Sequence, residues 1–157
     1  MGQDSVSGDE TTSKLVLQLE ERHAGLEVEC RAENEASTEP LAANAKLDVK
    51  LAVQQVEMAD WTTGREGELI TLSCRALGAR PRPSLTWRLP AGAEQVEQED
   101  SAEQAEDGSW EVAGQATLLA TEALHEEEVT CLASNEVMEH PMEAVTLLDI
   151  QCECQER

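Results

Sequence analysis

Apolar and charged residues alternate along several short stretches of this chain, and that period of two predicts β-strands. In LEVECRAE, residues 26–33, every second residue is apolar and the residues between them are charged. The alternation also occurs in KLVLQLE (14–20), AKLDVKLAV (45–53), ELITLSCRA (68–76) and SLTWRL (84–89). Such strands form sheets with one dry and one wet face. Short strands separated by turn signals predict an all-β sandwich.

Residues 30–50 repeat in residues 131–151 when the two segments are aligned without a gap. Eight of the 21 aligned pairs are identical: Cys30/Cys131, Ala32/Ala133, Asn34/Asn135, Glu35/Glu136, Pro40/Pro141, Ala43/Ala144, Leu47/Leu148 and Asp48/Asp149. A separation of 101 residues is too long for a solenoid repeat and fits a small domain with its linker. The repeat therefore predicts the same part of two tandem domains.

Two polar and two proline positions of the repeat suggest how its turn is built. Asn34 and Asn135 follow a predicted strand, where Asn side chains hydrogen-bond the backbone of a turn. Pro40 and Pro141 lack a backbone N–H and are expected to limit pairing where the next strand begins.

Cys74, Trp87 and Cys131 occur in a pattern that resembles the immunoglobulin superfamily. Cys74 and Cys131 are 57 residues apart, and Trp87 follows Cys74 by 13. EGELITLSCRALGARPRPSLTW resembles the B and C strands of C2- or I-type domains, and ATLLATEALHEEEVTCLASNEV resembles their E and F strands. More narrowly, the pattern is similar to adhesion receptors of the nephrin, nectin and sidestep type. The resemblance implies an immunoglobulin-like Greek-key β-sandwich with a Cys74–Cys131 disulfide packed against Trp87 in the core.

One position departs from that family. The tyrosine that usually precedes the second cysteine by two residues is replaced by Val28 in the first copy and Val129 in the second. We expect the corner before this strand to be held by packing alone.

The repeat also implies how the chain is divided. If Cys30 occupies the F strand, its partner would precede residue 1. We therefore expect a disordered N-terminus at 1–11, the E, F and G strands of a truncated domain at 12–53, a complete C2-type domain at 54–151, and a tail at 152–157. The chain then represents a fragment of a multi-domain ectodomain on the extracellular side of the plasma membrane.

The charge of the chain excludes several kinds of partner. The sequence has 33 Asp and Glu residues against 11 Lys and Arg, a formal net charge of −22. Phosphate binding needs a basic surface, so nucleic acid is not an expected partner. A negative protein is also repelled by anionic membranes and favours a basic protein. The sequence shows no signal peptide and no apolar run of spanning length, so membrane attachment is expected only through a segment absent from this chain.

Three cysteines remain outside the implied disulfide. Cys30, Cys152 and Cys154 are candidates for unpaired thiols or for bonds to another chain. Cys152-x-Cys154 offers two thiolates to zinc, but no second ligand pair lies nearby. The alternatives are an incidental tail, a disulfide to Cys30 or another chain, and a metal site.

Other motifs favour solvated segments over chemistry. The run at 93–108 is strongly acidic and is expected to form a loop, since it lacks the D-x-D-x-D-G spacing of a calcium site. His125 with Glu126–Glu128 lacks the second histidine of a zinc-protease motif. No catalytic constellation, cofactor or small-molecule substrate is predicted.

Trp61 and Trp110 are the candidate partner contacts, with core packing as the alternative interpretation of each. The resulting hypothesis is a non-enzymatic cell-surface adhesion module, which binds another ectodomain (homophilic or heterophilic) or acts as a spacer. The alternatives are a soluble secreted binder of a basic ligand, which would use the 93–108 segment, and an intracellular muscle-type immunoglobulin repeat.

Overall fold

The computed structural model describes residues 2–152 and consists of β-strands with two short 3-10 helices, Glu21–His23 and Glu122–Leu124. The strands are β1 (Gly2–Ser7), β2 (Glu10–Leu15), β3 (Glu27–Ala32), β4 (Leu41–Lys46), β5 (Gln55–Met58), β6 (Trp61–Arg65), β7 (Leu69–Ala79), β8 (Ser84–Arg88), β9 (Gln95–Gln104), β10 (Trp110–Leu119), β11 (Glu128–Ser134) and β12 (Met142–Gln151). The chain divides into two compact units, one ending at Val49 and the other beginning at Lys50.

The second unit is a sandwich of two four-stranded sheets, as the alternation predicted. One sheet has the order β5-β7-β10-β9 and the other the order β6-β12-β11-β8. All pairs are antiparallel except β6 with β12, which is parallel. Four of the six neighbouring pairs join strands that are not consecutive in sequence, so most of the pairing is long-range.

A disulfide between Cys74 and Cys131 joins the two sheets, with an S–S distance of 2.06 Å and a Cα–Cα distance of 6.5 Å. Cys74 lies in the middle of β7 and Cys131 in the middle of β11, and both are fully buried. Trp87 on β8 is half-buried and packs against both apolar clusters of the interior. The bridge therefore closes a core in which the indole connects one cluster to the other.

The first unit consists of two separate hairpins, β1-β2 and β3-β4. The β3-β4 hairpin reproduces β11-β12 at an offset of 101 residues. Glu27↔Lys46 through Ala32↔Leu41 correspond pair by pair to Glu128↔Leu147 through Ala133↔Met142. The sequence repeat is therefore a structural repeat with the same register.

Hydrogen bonds at the entrance to the hairpin repeat as well. The Gly25 N–H donates to the Leu47 carbonyl at 3.1 Å, as the Glu126 N–H donates to the Leu148 carbonyl at 2.9 Å. Gly25 and Glu126 share a positive φ, 78° and 63°, that places the chain in the left-handed region. Glycine adopts this conformation without the steric cost that a glutamate carries.

Several segments differ from the expectation. Gly2–Ser7 forms a strand where residues 1–11 were expected to be disordered, because its backbone pairs with β2. β2 ends at Leu15 and β4 ends at Lys46, so 16–20 and 47–50 are not strand although alternation predicted it. The acidic run at 93–108 is largely strand β9, an edge strand paired with β10, and the prediction of a loop was wrong there.

The corner before β11 is not held by packing alone. Val129 and Leu124 are buried there, as expected without a tyrosine. In addition, the His125 imidazole Nδ1 accepts a hydrogen bond from the Ile150 N–H at 3.1 Å. The Leu148 N–H donates to the Glu127 carbonyl at 2.9 Å. These bonds hold the corner against β12. They replace the hydrogen bond that a tyrosine hydroxyl makes at this corner in members of the immunoglobulin superfamily.

The two asparagines of the repeat act differently. The Asn34 side-chain oxygen accepts hydrogen bonds from the Ala36 N–H and the Ser37 hydroxyl within its own turn, as predicted. The Asn135 side-chain nitrogen instead donates to the Leu51 carbonyl at 2.7 Å and the Pro81 carbonyl at 3.1 Å. Asn135 thus ties the turn after β11 to the first residues of its unit and to the segment between β7 and β8.

We expect the double substitution C74A/C131A to lower the free energy of unfolding of the second unit by about 4 kcal/mol, because the bridge closes a long loop of the unfolded chain. Urea unfolding followed by tryptophan fluorescence reports on this unit alone, since all three Trp residues lie in it. The exposed thiol provides a control, C30S, with an expected change below about 0.5 kcal/mol. A loss below about 1 kcal/mol in the double variant would contradict this role of the bridge.

Asn135→Ala should destabilise the second unit by about 1–3 kcal/mol, because two half-buried carbonyls lose their donor. Asn34→Ala is the matched control at the same position of the repeat, and its bonds are exposed. It should leave the tryptophan-detected unfolding curve unchanged. Equal curves for the two variants would show that Asn135 is dispensable.

Candidate recognition surface

The described part of the chain offers little for chemistry. Residues 2–152 contain no group of three His, Cys, Asp or Glu side chains that could hold a metal ion. A cleft of about 480 Å³ is lined by Arg88, Leu89, Pro90, Glu126, Glu127, Glu128 and Thr130. No helix within 2–152 is long and apolar enough to cross a membrane.

The outer face of sheet β6-β12-β11-β8 carries a group of apolar residues that faces solvent. Register places Leu147 of β12 beside Trp61 of β6. Val145 lies two residues before Leu147 and therefore on the same face. Leu132 of β11 is opposite Glu143, which lies two residues before Val145, so Leu132 is a diagonal neighbour of Val145 on that face. We call these four residues, Trp61, Leu132, Val145 and Leu147, the Trp61 face.

Exposure distinguishes these side chains from the core. Trp61 is 66% exposed and Val145 is 43% exposed, while Leu132 and Leu147 are half-buried. Their neighbours along β12, Thr146 and Leu148, point inward and are fully buried. The hydroxyl of Thr146 satisfies its hydrogen bonding inside the sandwich through Thr62 of β6 at 2.9 Å. The strand β12 therefore carries apolar residues on both faces, and on its open outer face these are Val145 and Leu147.

Polar residues surround the Trp61 face. The Arg88 guanidinium lies 3.6 Å from the Glu143 carboxylate, both side chains being substantially exposed. Glu128 is exposed and stands opposite Leu147 across β11 and β12. An apolar centre with a charged rim is the usual arrangement of a protein-binding patch.

Trp110, the other tryptophan proposed as a contact, is less available. It is half-buried at the start of β10, and the Arg82 guanidinium carbon lies 5.8 Å from the centroid of its ring. A cation over the indole occupies the surface that a partner would use. The two tryptophans therefore differ in exposure, and Trp61 is the one whose side chain is largely open to solvent.

The acidic strand β9 forms an exposed edge of the other sheet. Glu97, Glu99 and Glu103 are exposed, and alternation places them on the outer face of the sheet. Asp100 lies on the opposite, inner side, where its carboxylate comes close to Gly114 and Leu85. A charge that points inward at an edge discourages pairing with a strand of another molecule.

The other predicted cysteines lie apart from these surfaces. Cys30 is exposed on β3, and Cys152 is half-buried with its Sγ 4.0 Å from the Ile150 carbonyl oxygen. Cys154 lies outside the described residues. Leu132, Val145 and Leu147 were not foreseen as a surface, but the run AVTLLDI could have indicated it because two of its three outward positions, Val145 and Leu147, are apolar.

Comparisons with known proteins agree with this fold. The sequence model of a family described as "C2-set_3: Butyrophilin subfamily 3 member A2-like, Ig-C domain" matches residues 54–143. Among curated proteins, none matches the chain.

Three solved structures show the likeness in three dimensions. Rst D1-D2 is 15% identical at a TM-score of 0.69, covering 93% of this chain and 73% of its own. The full ectodomain (Ig1-Ig3) of mouse nectin-like molecule 4 is 19% identical at a TM-score of 0.63, covering 96% of this chain and 51% of its own. Dpr2 Ig1-Ig2, in complex with DIP-Theta Ig1-Ig3, is 14% identical at a TM-score of 0.50, covering 80% of this chain and 41% of that one. The predicted immunoglobulin-like fold is confirmed.

Proposed function

Because this chain belongs to the immunoglobulin C2-set family described as butyrophilin subfamily 3 member A2-like, Ig-C domain, we propose that it is a non-enzymatic recognition module. It binds another protein through the Trp61 face. The observation that carries the proposal is a solvent-facing apolar group on the side of a sheet that should be polar.

The composition of the Trp61 face supports a binding role. Trp is the residue most enriched among those that dominate binding energy, and such residues are ringed by contacts that exclude water. Here Leu147 and Val145 extend the apolar area beside Trp61, and the charged rim holds Arg88 and Glu143. A partner with an apolar centre and a polar rim complements this arrangement.

The charge of the chain favours one kind of partner. At −22, the chain repels other acidic surfaces and attracts basic ones, which raises the rate of encounter. We therefore place the module against a protein whose patch is rimmed by Lys and Arg. Dpr2, one of the structures this chain is similar to, was solved in complex with a second immunoglobulin protein, DIP-Theta.

The disulfide supports an extracellular location. Bridges of this kind form and persist in oxidising compartments and are rare in the cytosol. The Cys74–Cys131 bridge lies in the centre of the core, where the two sheets meet. This favours a cell-surface or secreted module over an intracellular muscle-type repeat.

We expect Trp61→Ala to weaken partner binding by about 30-fold or more, the scale of a strong contact residue. The oxidised chain, displayed as a multimer, would be screened against a panel of extracellular proteins, and each hit measured by surface plasmon resonance. Trp110→Ala is the matched control, since Arg82 already covers its ring, and it should change affinity by less than about 3-fold.

Two outcomes of this screen would overturn the proposal. If Trp61→Ala binds as tightly as the unchanged protein, the Trp61 face is not the contact. If instead the triple substitution E97Q/E99Q/E103Q abolishes binding while Trp61→Ala does not, the acidic strand β9 is the binding surface and the soluble acidic binder is the better description. Urea unfolding of Trp61→Ala should be unchanged, which separates binding from stability.

A further inference from the structure

The second half of β12 is attached to its unit partly by a side chain. The corner before β11 continues the pairing with β12 beyond the first residue of β11. There the Leu148 N–H donates to the Glu127 carbonyl at 2.9 Å. Two residues further along β12, the Ile150 N–H donates instead to the His125 imidazole Nδ1 at 3.1 Å. The imidazole therefore takes the place of a backbone carbonyl in this series of hydrogen bonds.

The first unit has the same hairpin without this bond. At the offset of 101 residues, Ala24 corresponds to His125 and Val49 to Ile150. The methyl group of Ala24 accepts no hydrogen bond, and β4 ends before Val49, whereas β12 continues past Ile150. The longer strand also pairs with β6. Among the described residues, the His125 imidazole and β6 are thus two attachments that β12 has and that β4 lacks.

The acceptor in the bond to Ile150 is titratable. A neutral imidazole has one N–H and one nitrogen without hydrogen, and in His125 the nitrogen that accepts is Nδ1. Histidine takes up its second proton within the range of about pH 5 to 8. The ring then has an N–H at both nitrogens and is a donor only. Protonation of His125 therefore removes the acceptor of the Ile150 N–H.

A carboxylate lies close to the ring. Asp149 faces His125 from β12, and its Oδ1 is 3.7 Å from the His125 Nδ1. The His125 and Asp149 side chains are 43% and 47% exposed, so core packing does not prevent a small rotation of the ring. A hydrogen bond from an imidazolium to a carboxylate is charge-assisted and stronger than one between neutral groups. Protonation thus replaces the bond to Ile150 with a bond to Asp149.

The other charged groups on the segments around His125 are mostly acidic. The corner and the start of β11 carry Glu122 and the three glutamates at 126–128, and the end of β6 and the turn after it carry Arg65, Glu66 and Glu68. Arg88 of β8 lies 3.6 Å from Glu143 of β12. Within residues 2–152, Asp149 is the acidic residue that forms an ion pair with His125. The direction in which the protonated ring turns is therefore set by Asp149.

We propose that His125 is a pH-sensitive attachment point of β12. At neutral pH its Nδ1 binds the Ile150 N–H and holds β12 against the corner. On acidification the protonated ring releases this N–H and donates to the Asp149 carboxylate. The loosening extends to β6, because β6 pairs with the same part of β12 through Leu147↔Trp61 and Ile150↔Gly64.

This change affects the strand that carries Trp61. A protein bound at the Trp61 face meets a less firmly held β6 after acidification, so its affinity falls. That consequence rests on the proposed function, whereas the bond between His125 and Ile150 does not. The test therefore uses the chain alone, and its failure is distinguishable from failure of the Trp61 face to bind a partner.

The test is amide hydrogen exchange of the full oxidised chain, followed by NMR at about pH 7.5 and about pH 5.5. Protection of each amide is expressed relative to an unstructured peptide at the same pH, which removes the pH dependence of the exchange chemistry. We expect protection of the Ile150 N–H to fall by at least about 3-fold at the lower pH, the scale of one neutral hydrogen bond. Protection of the Gly64 N–H on β6 should fall with it.

Matched variants assign the change to one side chain. His125→Asn keeps a side-chain acceptor but does not titrate, so its Ile150 protection should change by less than about 1.5-fold between the two pH values. His125→Ala has no acceptor, and its Ile150 protection should be low at both. His140→Asn removes the other histidine of the second unit and should keep the full pH dependence.

Two results would overturn the inference. Equal Ile150 protection at both pH values in the unchanged chain would show that the bond survives acidification. A fall of the same size in His125→Asn would show that another group titrates. Tryptophan fluorescence of each variant under native conditions, compared with the unchanged chain, shows that the core around Trp87 is retained, so a lost fold is not mistaken for a lost bond.

Discussion

The Cys74–Cys131 bridge and the side chains around it determine how far apart the two sheets of the second unit stand. Residues of this core are small, including Ala76, Ala116 and Ala133, and the sequence has no Phe or Tyr to fill a wider gap. A disulfide and one indole supply the volume that aromatic residues supply elsewhere. Trp87 contacts both apolar clusters, so the bridge and the indole together make one continuous interior.

The two copies of the β-hairpin show that the same local structure can occur with and without burial. Both have the same register and the same entrance hydrogen bonds, yet Cys131 is fully buried and Cys30 is exposed. Pairing within a hairpin is set by its own turn and backbone, whereas burial requires a second layer. The identity of the residues thus specifies the hairpin, and the neighbouring strands decide whether its face becomes a core.

Alternation was sufficient to predict the sandwich, and the resemblance to the immunoglobulin superfamily implied the bridge and the central role of Trp87. They were not sufficient to predict β9. An edge strand that is polar on both faces shows no alternation of apolar and polar residues, and its acidic composition is typical of a loop. Leu17 and Leu19 show the opposite failure. Alternation is present there, but the strand ends at Leu15 and both side chains are exposed, because no strand among the described residues of the first unit covers them. The bond from the Ile150 N–H to His125 also escaped prediction, because it joins residues 25 apart whose meeting depends on the fold.

The Trp61 face illustrates why a recognition surface is harder to derive than a core. Val145 and Leu147 belong to a strand whose other face is also apolar, and from sequence such a strand is indistinguishable from one buried on both sides. Only the arrangement of strands shows whether the outer face of β12 is buried. The other strands of its sheet are β6, β11 and β8, and within residues 50–152 the outer face of β12 is left to solvent. An apolar residue at such a position buries less area within the fold than an inward-facing one, and this is why we propose that the residue contacts another protein.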